Sequence, residues 1–243
     1  MLELRSLSKR FGGVHALANV SFNVEKGSVT ALIGPNGAGK TTLLDLVSGV
    51  TVLDSGSVLV SGVNVAGKRP EQVARLGVSR TFQSPRLFGN LTVLDNVLLA
   101  LDGGDESFWA SFLGRRDSKQ LLERAHSALE RVHLTNKAHS LCRDLSYGQR
   151  KLLELARALA LPHTVLLLDE PLAGVNPVVR KEIASVVKAL RKQGETILLV
   201  EHDLAFVSGV ADRVVVLEEG RVIAEGTPSQ VKRDKKVVEA YLG

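Results

Sequence analysis

Three short runs in this 243-residue chain hold residue types whose spacing suits one chemistry, the binding of a phosphate-bearing ligand and its attack by water. The first is GPNGAGKT, Gly34 to Thr41, which fits the pattern of glycine, four residues, then Gly-Lys-Ser/Thr. Glycines let the backbone curl so that successive N–H groups converge on phosphate oxygens. Lys40 adds a mobile point charge, and a helix starting there aims its positive end at the same anion. Gly34, Pro35, Asn36, Gly37, Ala38, Gly39, Lys40, Thr41 and Thr42 are therefore the nucleotide-binding candidates, with the Thr41 hydroxyl available to Mg²⁺. A glycine-rich turn that merely precedes a helix is the alternative.

The second run is VLLLDEP, an apolar stretch ending in Asp169 and Glu170. Ligands of open parallel sheets gather beyond the carboxyl ends of strands, so two carboxylates there can meet what a phosphate loop holds. Asp169 would join a Mg²⁺ shell and Glu170 would act on the attacking water as general base, a role worth about 10² to 10⁴ in rate. Capping of the following turn is the plainer reading. The third run is LSYGQ, in which Leu145 precedes a capping box of Ser146 and Gln149 and so marks a helix start. Taken alone that cap explains the run, but Gly148 weakens a first turn by about 0.5 to 1 kcal/mol, which suggests close backbone approach to a ligand.

These runs need elements to hold them. From Leu2 to Ile33 the pattern is β-rich, with LELRSL, VSFNV and SVTALI as strands and EKG as a hairpin-like turn between the last two. KTTLLDLVSG follows the loop with Leu43, Leu44 and Val47 on one helical face. SVLVSG reads as a strand, Pro70 opens a short helix, and VSRTFQ reads as another strand ending in Gln83. Helical patterns at Leu91–Leu101 and Lys119–Val132 form a helical insertion. Beyond it, helix at Tyr147–Ala160, strand at Thr164–Leu168, helix at Pro177–Gln193 and strand at Thr196–Val200 alternate as β-α-β units, which implies an α/β fold with a parallel sheet covered by helices. Those strands are continuously apolar, as strands buried on both faces should be. VVVLEEGRVIAEG reads as a hairpin turning at Glu219 and Gly220, followed by a short terminal helix.

Composition bounds the rest. Forty-four per cent hydrophobic against 23 per cent charged residues is ordinary for a globular chain and excludes collagen-like or wholly disordered classes. The longest apolar runs fall far short of the roughly 18 to 20 residues of a membrane span. The N-terminus lacks the apolar core of a secretory signal, and one cysteine, Cys142, cannot make an internal disulfide; both suit a cytoplasmic location. The net charge of +5 is compatible with nucleic acid, an anionic membrane face or phosphate ligands. The dense basic run Lys232, Arg233, Lys235 and Lys236 reads as a solvated helix face.

In this order the motifs resemble those of the ATP-binding subunits of ABC transporters: the phosphate loop, a Q-loop glutamine at Gln83, the LSYGQ signature, the VLLLDE strand and a switch histidine at His202. The resemblance spans nearly the whole chain. It implies a P-loop fold of ABC type in one 1–243 domain, with a catalytic core of 1–83 and 155–243 that includes an N-terminal antiparallel β part, and a helical subdomain at 84–154. It also implies ATP and Mg²⁺ as ligands, with Thr41, Gln83 and Asp169 around the metal, Glu170, Gln83 and His202 in catalysis, and Phe11 stacked on adenine. A buried strand-end phenylalanine is the alternative for Phe11. Two such domains would pair head to tail, Leu145, Ser146, Tyr147, Gly148 and Gln149 serving the partner's ATP, and the partner chain would be identical or paralogous.

The implied partners are permease subunits at the inner face of the membrane and, indirectly, a periplasmic or extracellular solute-binding protein, with no nucleic acid. PLAGVNP departs from many family members by carrying Asn176 where they have aspartate. That form, RTFQSPRLFGNLTVLDNV and the ending VIAEGTPSQV…VVEAYLG resemble the ATPases of branched-chain amino acid importers. Urea, amide and lipopolysaccharide-export ATPases share much of the pattern, and an ABC ATPase acting on nucleic acid is a further alternative. The aromatics Phe108, Trp109 and Phe112 suit either contact with permease or lipid headgroups, or a plug over the insertion itself.

Overall fold

The computed structural model of the protein describes residues 1–101 and 117–242. Phe108, Trp109 and Phe112 lie outside the described residues. The packing of the described residues divides the chain into two units: Met1–Arg80, His163–Glu170 and Val187–Gly243 in one, Thr81–Pro162 and Pro171–Val186 in the other.

The first unit holds two sheets. An antiparallel sheet runs β2 (Val14–Val24), β1 (Leu2–Phe11), β4 (Ser55–Val60), β5 (Val63–Asn64). A six-stranded sheet follows the order β10 (Arg221–Gly226), β9 (Arg213–Glu218), β3 (Val29–Ile33), β8 (Ile197–Val200), β7 (Val165–Asp169), β6 (Val78–Arg80), parallel throughout except for the β9–β10 hairpin. Every residue of β3, β7 and β8 is buried, as the unbroken apolar runs require of central parallel strands. Helix α1 (Lys40–Val47) buries Leu43, Leu44, Leu46 and Val47 in a core shared with residues of both sheets, and α2 (Pro70–Arg75) opens at Pro70 as expected. Glu219 and Gly220 turn the hairpin with φ of 42° and 73°, the left-handed pair a two-residue turn needs.

Two expectations fail here. EKG is not a hairpin turn, because β2 pairs with β1 in one sheet and β3 with β8 and β9 in the other. The β6 strand spans only Val78–Arg80, so Thr81, Phe82 and Gln83 are not its continuation. Its partner β7 starts at Val165, opposite Val78, and pairing ends at Arg80 opposite Leu167.

In the second unit α3 (Val93–Leu101), α4 (Asp117–Arg131) and α5 (Tyr147–Ala160) pack on one another through Val93, Val97, Leu129, Leu152 and Leu153, all at most 1% exposed. Helix α3 starts two residues later than the apolar pattern suggested. Thr92 Oγ1 accepts from Asp95 N at 3.0 Å while the Asp95 carboxylate accepts from Thr92 N at 3.3 Å, which makes Thr92 the cap. Helix α6 (Pro177–Lys192) begins in the second unit and ends in the first. Helix α7 (Leu204–Val210), absent from the sequence reading, is capped by Asp203, whose carboxylate accepts from Ala205 N and Phe206 N, each at 3.0 Å. The chain closes with two short helices, α8 (Pro228–Val231) and α9 (Lys235–Leu242), because Thr227 and Gln230 form a separate capping box ahead of the first.

Candidate nucleotide-binding and catalytic site

The first unit collects Phe11, the Gly34–Thr42 loop, Asp169, Glu170 and His202; Gln83 and the 145–149 run belong to the second. The loop and the two carboxylates follow the carboxyl ends of β3 and β7, and His202 lies just after β8, which stands between them in the sheet. That end of a parallel sheet is where phosphate ligands bind.

Gly34 has φ of 151° and a Cβ there would stand 2.0 Å from the Leu217 carbonyl oxygen, so this turn admits no side chain. Helix α1 opens at Gly39, in the left-handed region, and none of the described side chains caps it. Its first-turn amides are thus supplied as anion donors. Asn36, Gly37 and Thr41 are exposed, Pro35, Gly39 and Thr42 half-buried, and Ala38 buried. Lys40 is 7% exposed and its Nζ donates to the carbonyls of Gly34 at 2.8 Å and Pro35 at 2.9 Å. Burial pushes its pKa down, against the opposing pull of the Glu170 and Asp169 carboxylates.

Asp169 is 4% exposed, and burial raises its carboxyl above the ordinary range, partly offset by a bond from Arg80 Nη2 at 3.0 Å. Arg80 was not singled out in the sequence. It also donates from Nη1 to Asp45 Oδ1 at 2.7 Å and Ser48 Oγ at 2.9 Å, tying α1 to the end of β7. The signal that marks it is an arginine ending a short strand whose other two residues, Val78 and Ser79, are buried. Glu170 has φ of 45°, a costly conformation for a non-glycine residue and one that clusters at functional sites. Its N–H donates to Val200 O at 3.0 Å, which ties the strained residue to the neighbouring strand. His202 keeps 57% of its side chain exposed, and its N–H donates to Oε2 of the fully buried Glu201 at 3.1 Å. Phe11 is 52% exposed with Lys9 Nζ 5.2 Å from its ring centroid, so it is not a buried strand end.

In the second unit, Ser146 caps α5 as expected: Gln149 N donates to Ser146 Oγ at 3.3 Å and Ser146 N to Gln149 Oε1 at 3.0 Å. Leu145 is buried and Tyr147 is 44% exposed. Gly148 has a packing reason within the chain itself, beside the expected approach to a ligand: a Cβ there would meet Val179 Cγ2 at 2.6 Å. Asn176 accepts from Val178 N and Val179 N, each at 3.0 Å, so it caps α6 without the charge an aspartate would bring. Gln83 is exposed, and its carbonyl accepts from Lys151 Nζ.

The donor set fits a magnesium nucleotide. Among the described residues no three His, Cys, Asp or Glu side chains are grouped for a metal. Mg²⁺ bound through substrate phosphates, waters and one or two protein oxygens, such as the Thr41 hydroxyl and Asp169, needs no such cage.

Comparison with known proteins agrees. A family model described as ABC transporter matches residues 17–173, and one described as branched-chain amino acid ATP-binding cassette transporter matches residues 221–243. A probable branched-chain amino acid transport ATP-binding protein of Archaeoglobus fulgidus is 42% identical over 100% of this chain and 95% of its own. The solved ADP conformation of an ATP-binding cassette of an ABC transporter is 36% identical, with a TM-score of 0.89 over 100% of this chain and 98% of that one. A dimeric cassette in a post-hydrolysis state, bound to ADP and phosphate, is 25% identical with a TM-score of 0.80 over 94% of this chain and 99% of that one. Among the described residues no helix is long and apolar enough to cross a membrane. Phosphate loop, strand-end carboxylates, cassette fold and full-length likeness lead to one conclusion: the chain belongs to the ATP-binding subunits of ABC transporters, ATPases that dimerise and work with membrane permeases.

Proposed function

We propose that the protein powers uptake of branched-chain or related amino acids from the inner, cytoplasmic face of the membrane, paired with an identical or paralogous ATPase and served by an external solute-binding protein. The observation that carries the cargo is the 221–243 match, which lies outside the ATPase motifs and bears the branched-chain description. The full-length relative named for the same transport favours it over urea, amide or lipopolysaccharide.

The chemistry follows from the residues of the first unit. The amides of the 34–41 loop and of the uncapped start of α1 take the phosphate oxygens of ATP. Lys40 turns from the carbonyls of Gly34 and Pro35 toward the β- and γ-phosphates, exchanging two neutral acceptors for charged ones. Mg²⁺, held by Thr41 and Asp169 and, on the resemblance, by Gln83, would neutralise charge on the phosphates. Glu170 accepts a proton from the water whose oxygen bonds to the γ-phosphorus. The bond to the bridging oxygen breaks, ADP leaves with that electron pair, and inorganic phosphate remains. His202 donates to the γ-phosphate, and Phe11 offers its exposed ring to adenine. The Ser146 end of the partner's α5 completes the clasp, so ATP joins two chains and hydrolysis parts them.

E170Q tests this reading. Turnover should fall by about 10² to 10⁴ while ATP still binds and an ATP-bound dimer accumulates on size-exclusion chromatography. Undiminished hydrolysis removes Glu170 from the base role.

A further inference from the structure

Helix α5 does more in the second unit than present Ser146. Three charged side chains stand along its i, i+3, i+6 row, and each holds the main chain of one short segment. Lys151 Nζ donates to Gln83 O. Glu154 Oε1 accepts from Phe82 N at 2.8 Å. Arg157 Nη1 donates to Arg86 O. Within the segment, Arg86 lies over the Phe82 ring, 4.3 Å from its centroid.

The three anchors are not surface decoration. Lys151 is 6% and Glu154 5% exposed, and burial pushes the Glu154 carboxyl up and the Arg157 guanidinium down from their ordinary values. Buried ionisable groups are kept at a cost, and a packed apolar face would hold two elements together more cheaply. What charged groups add is direction: each accepts or donates at a main-chain atom whose position along the helix is then fixed. Residues 82–86 are neither helix nor strand. Backbone without a ladder of its own is held by bonds of this kind.

We infer that Lys151, Glu154 and Arg157 are positioning residues that make α5 and residues 82–86 move as one body, so that displacement of the Ser146 end is delivered to Gln83. The inference rests on the proposed roles of Ser146 at the partner's ATP and Gln83 at the chain's own. It adds a physical link between the two: docking of the partner's γ-phosphate at the start of α5 reaches the Gln83 main chain through side chains one to three turns along the helix. Occupancy of one ATP site then bears on hydrolysis at the other.

The test compares E154L, E154Q and K151M with the parent chain, reading amide exchange of residues 81–86, MgATP affinity and steady-state turnover. E154L, which removes the Glu154 oxygen that accepts from Phe82 N, should speed exchange there about tenfold and lower kcat at least about fivefold, with affinity within about twofold. E154Q keeps an acceptor and should restore both protection and most of the turnover. K151M should repeat the E154L pattern more weakly, and it serves where E154L does not fold. Unchanged exchange overturns the grip. Faster exchange at full turnover, or E154Q as impaired as E154L, overturns the coupling. Q83A is run alongside: if it hydrolyses ATP at the parental rate, the Gln83 reading fails and the coupling with it, even where exchange shows the grip intact.

Discussion

Two helix starts carry the proposed phosphate contacts, and they are finished in opposite ways. Helix α1 opens on Gly39 with none of the described side chains on its amides, whereas α5 opens on Ser146 with a reciprocal box to Gln149. The first is built by backbone: a turn at Gly34 that admits no Cβ, and a lysine folded onto loop carbonyls. The second is a complete helix end that needs no ligand. On the proposed function, a chain's own phosphate loop has donors ready for the nucleotide, while its signature end would add contacts only when a second chain brings a phosphate to it. Such an asymmetry suits a protein whose nucleotide binds first and whose dimer forms afterwards.

The largest effect is expected at Gly34. G34A should cost about 3 kcal/mol or more, lowering the melting temperature by about 6 to 12 °C, because the displaced group is a backbone carbonyl of β9. G37A, with φ of 82° but nothing within 4 Å of its Cβ, should cost only about 1 to 2 kcal/mol. Equal losses would mean that the loop is not held by that close approach.

At the other helix start, G148A should cost about 1 to 3 kcal/mol by driving a methyl into Val179, and G148A/V179A should recover part of it. If the double variant regains stability but not turnover, Gly148 serves the nucleotide as well as packing. Full recovery of both confines it to packing.

The smallest effect concerns charge. Burial holds the Asp169 carboxyl above its unfolded value, so the folded chain binds that proton the more tightly. The stability linked to it is complete below the ordinary carboxylate range and lost as pH rises through the raised value. D169N, which can still accept from Arg80, should raise the melting temperature of the nucleotide-free chain by about 2 to 4 °C near neutral pH, a gain that shrinks toward about pH 4. The same variant should lose stabilisation by Mg-ATP. A lower melting temperature at neutral pH would show that the Arg80 pair outweighs desolvation.

What could be read in the sequence was what lies close along the chain. The phosphate loop, the Ser146 box, the strand-end carboxylates and the Glu219–Gly220 turn each depend on residues a few positions apart, whose types fix the local backbone. What could not be read depends on register across the fold. Arg80 meets Asp169 over 89 positions, and Glu154 meets Phe82 over 72. Gly148 packs against Val179, 31 positions away, and EKG looked like a hairpin because nothing local says that β2 and β3 enter different sheets. Asn176 shows the converse: the charge missing from the sequence pattern is immaterial to the cap, which needs only an oxygen.

On the proposed function, Lys40 and the curled 34–41 backbone form the cradle for ATP in the single chain. Calorimetric titration of the parent protein and K40A with Mg-ATP addresses it most directly. Saturable binding by the parent at or below about 1 mM, weakened at least about tenfold in K40A, is the expected result. Parent protein that takes up no Mg-ATP at that level, or K40A binding with undiminished affinity, would contradict the account.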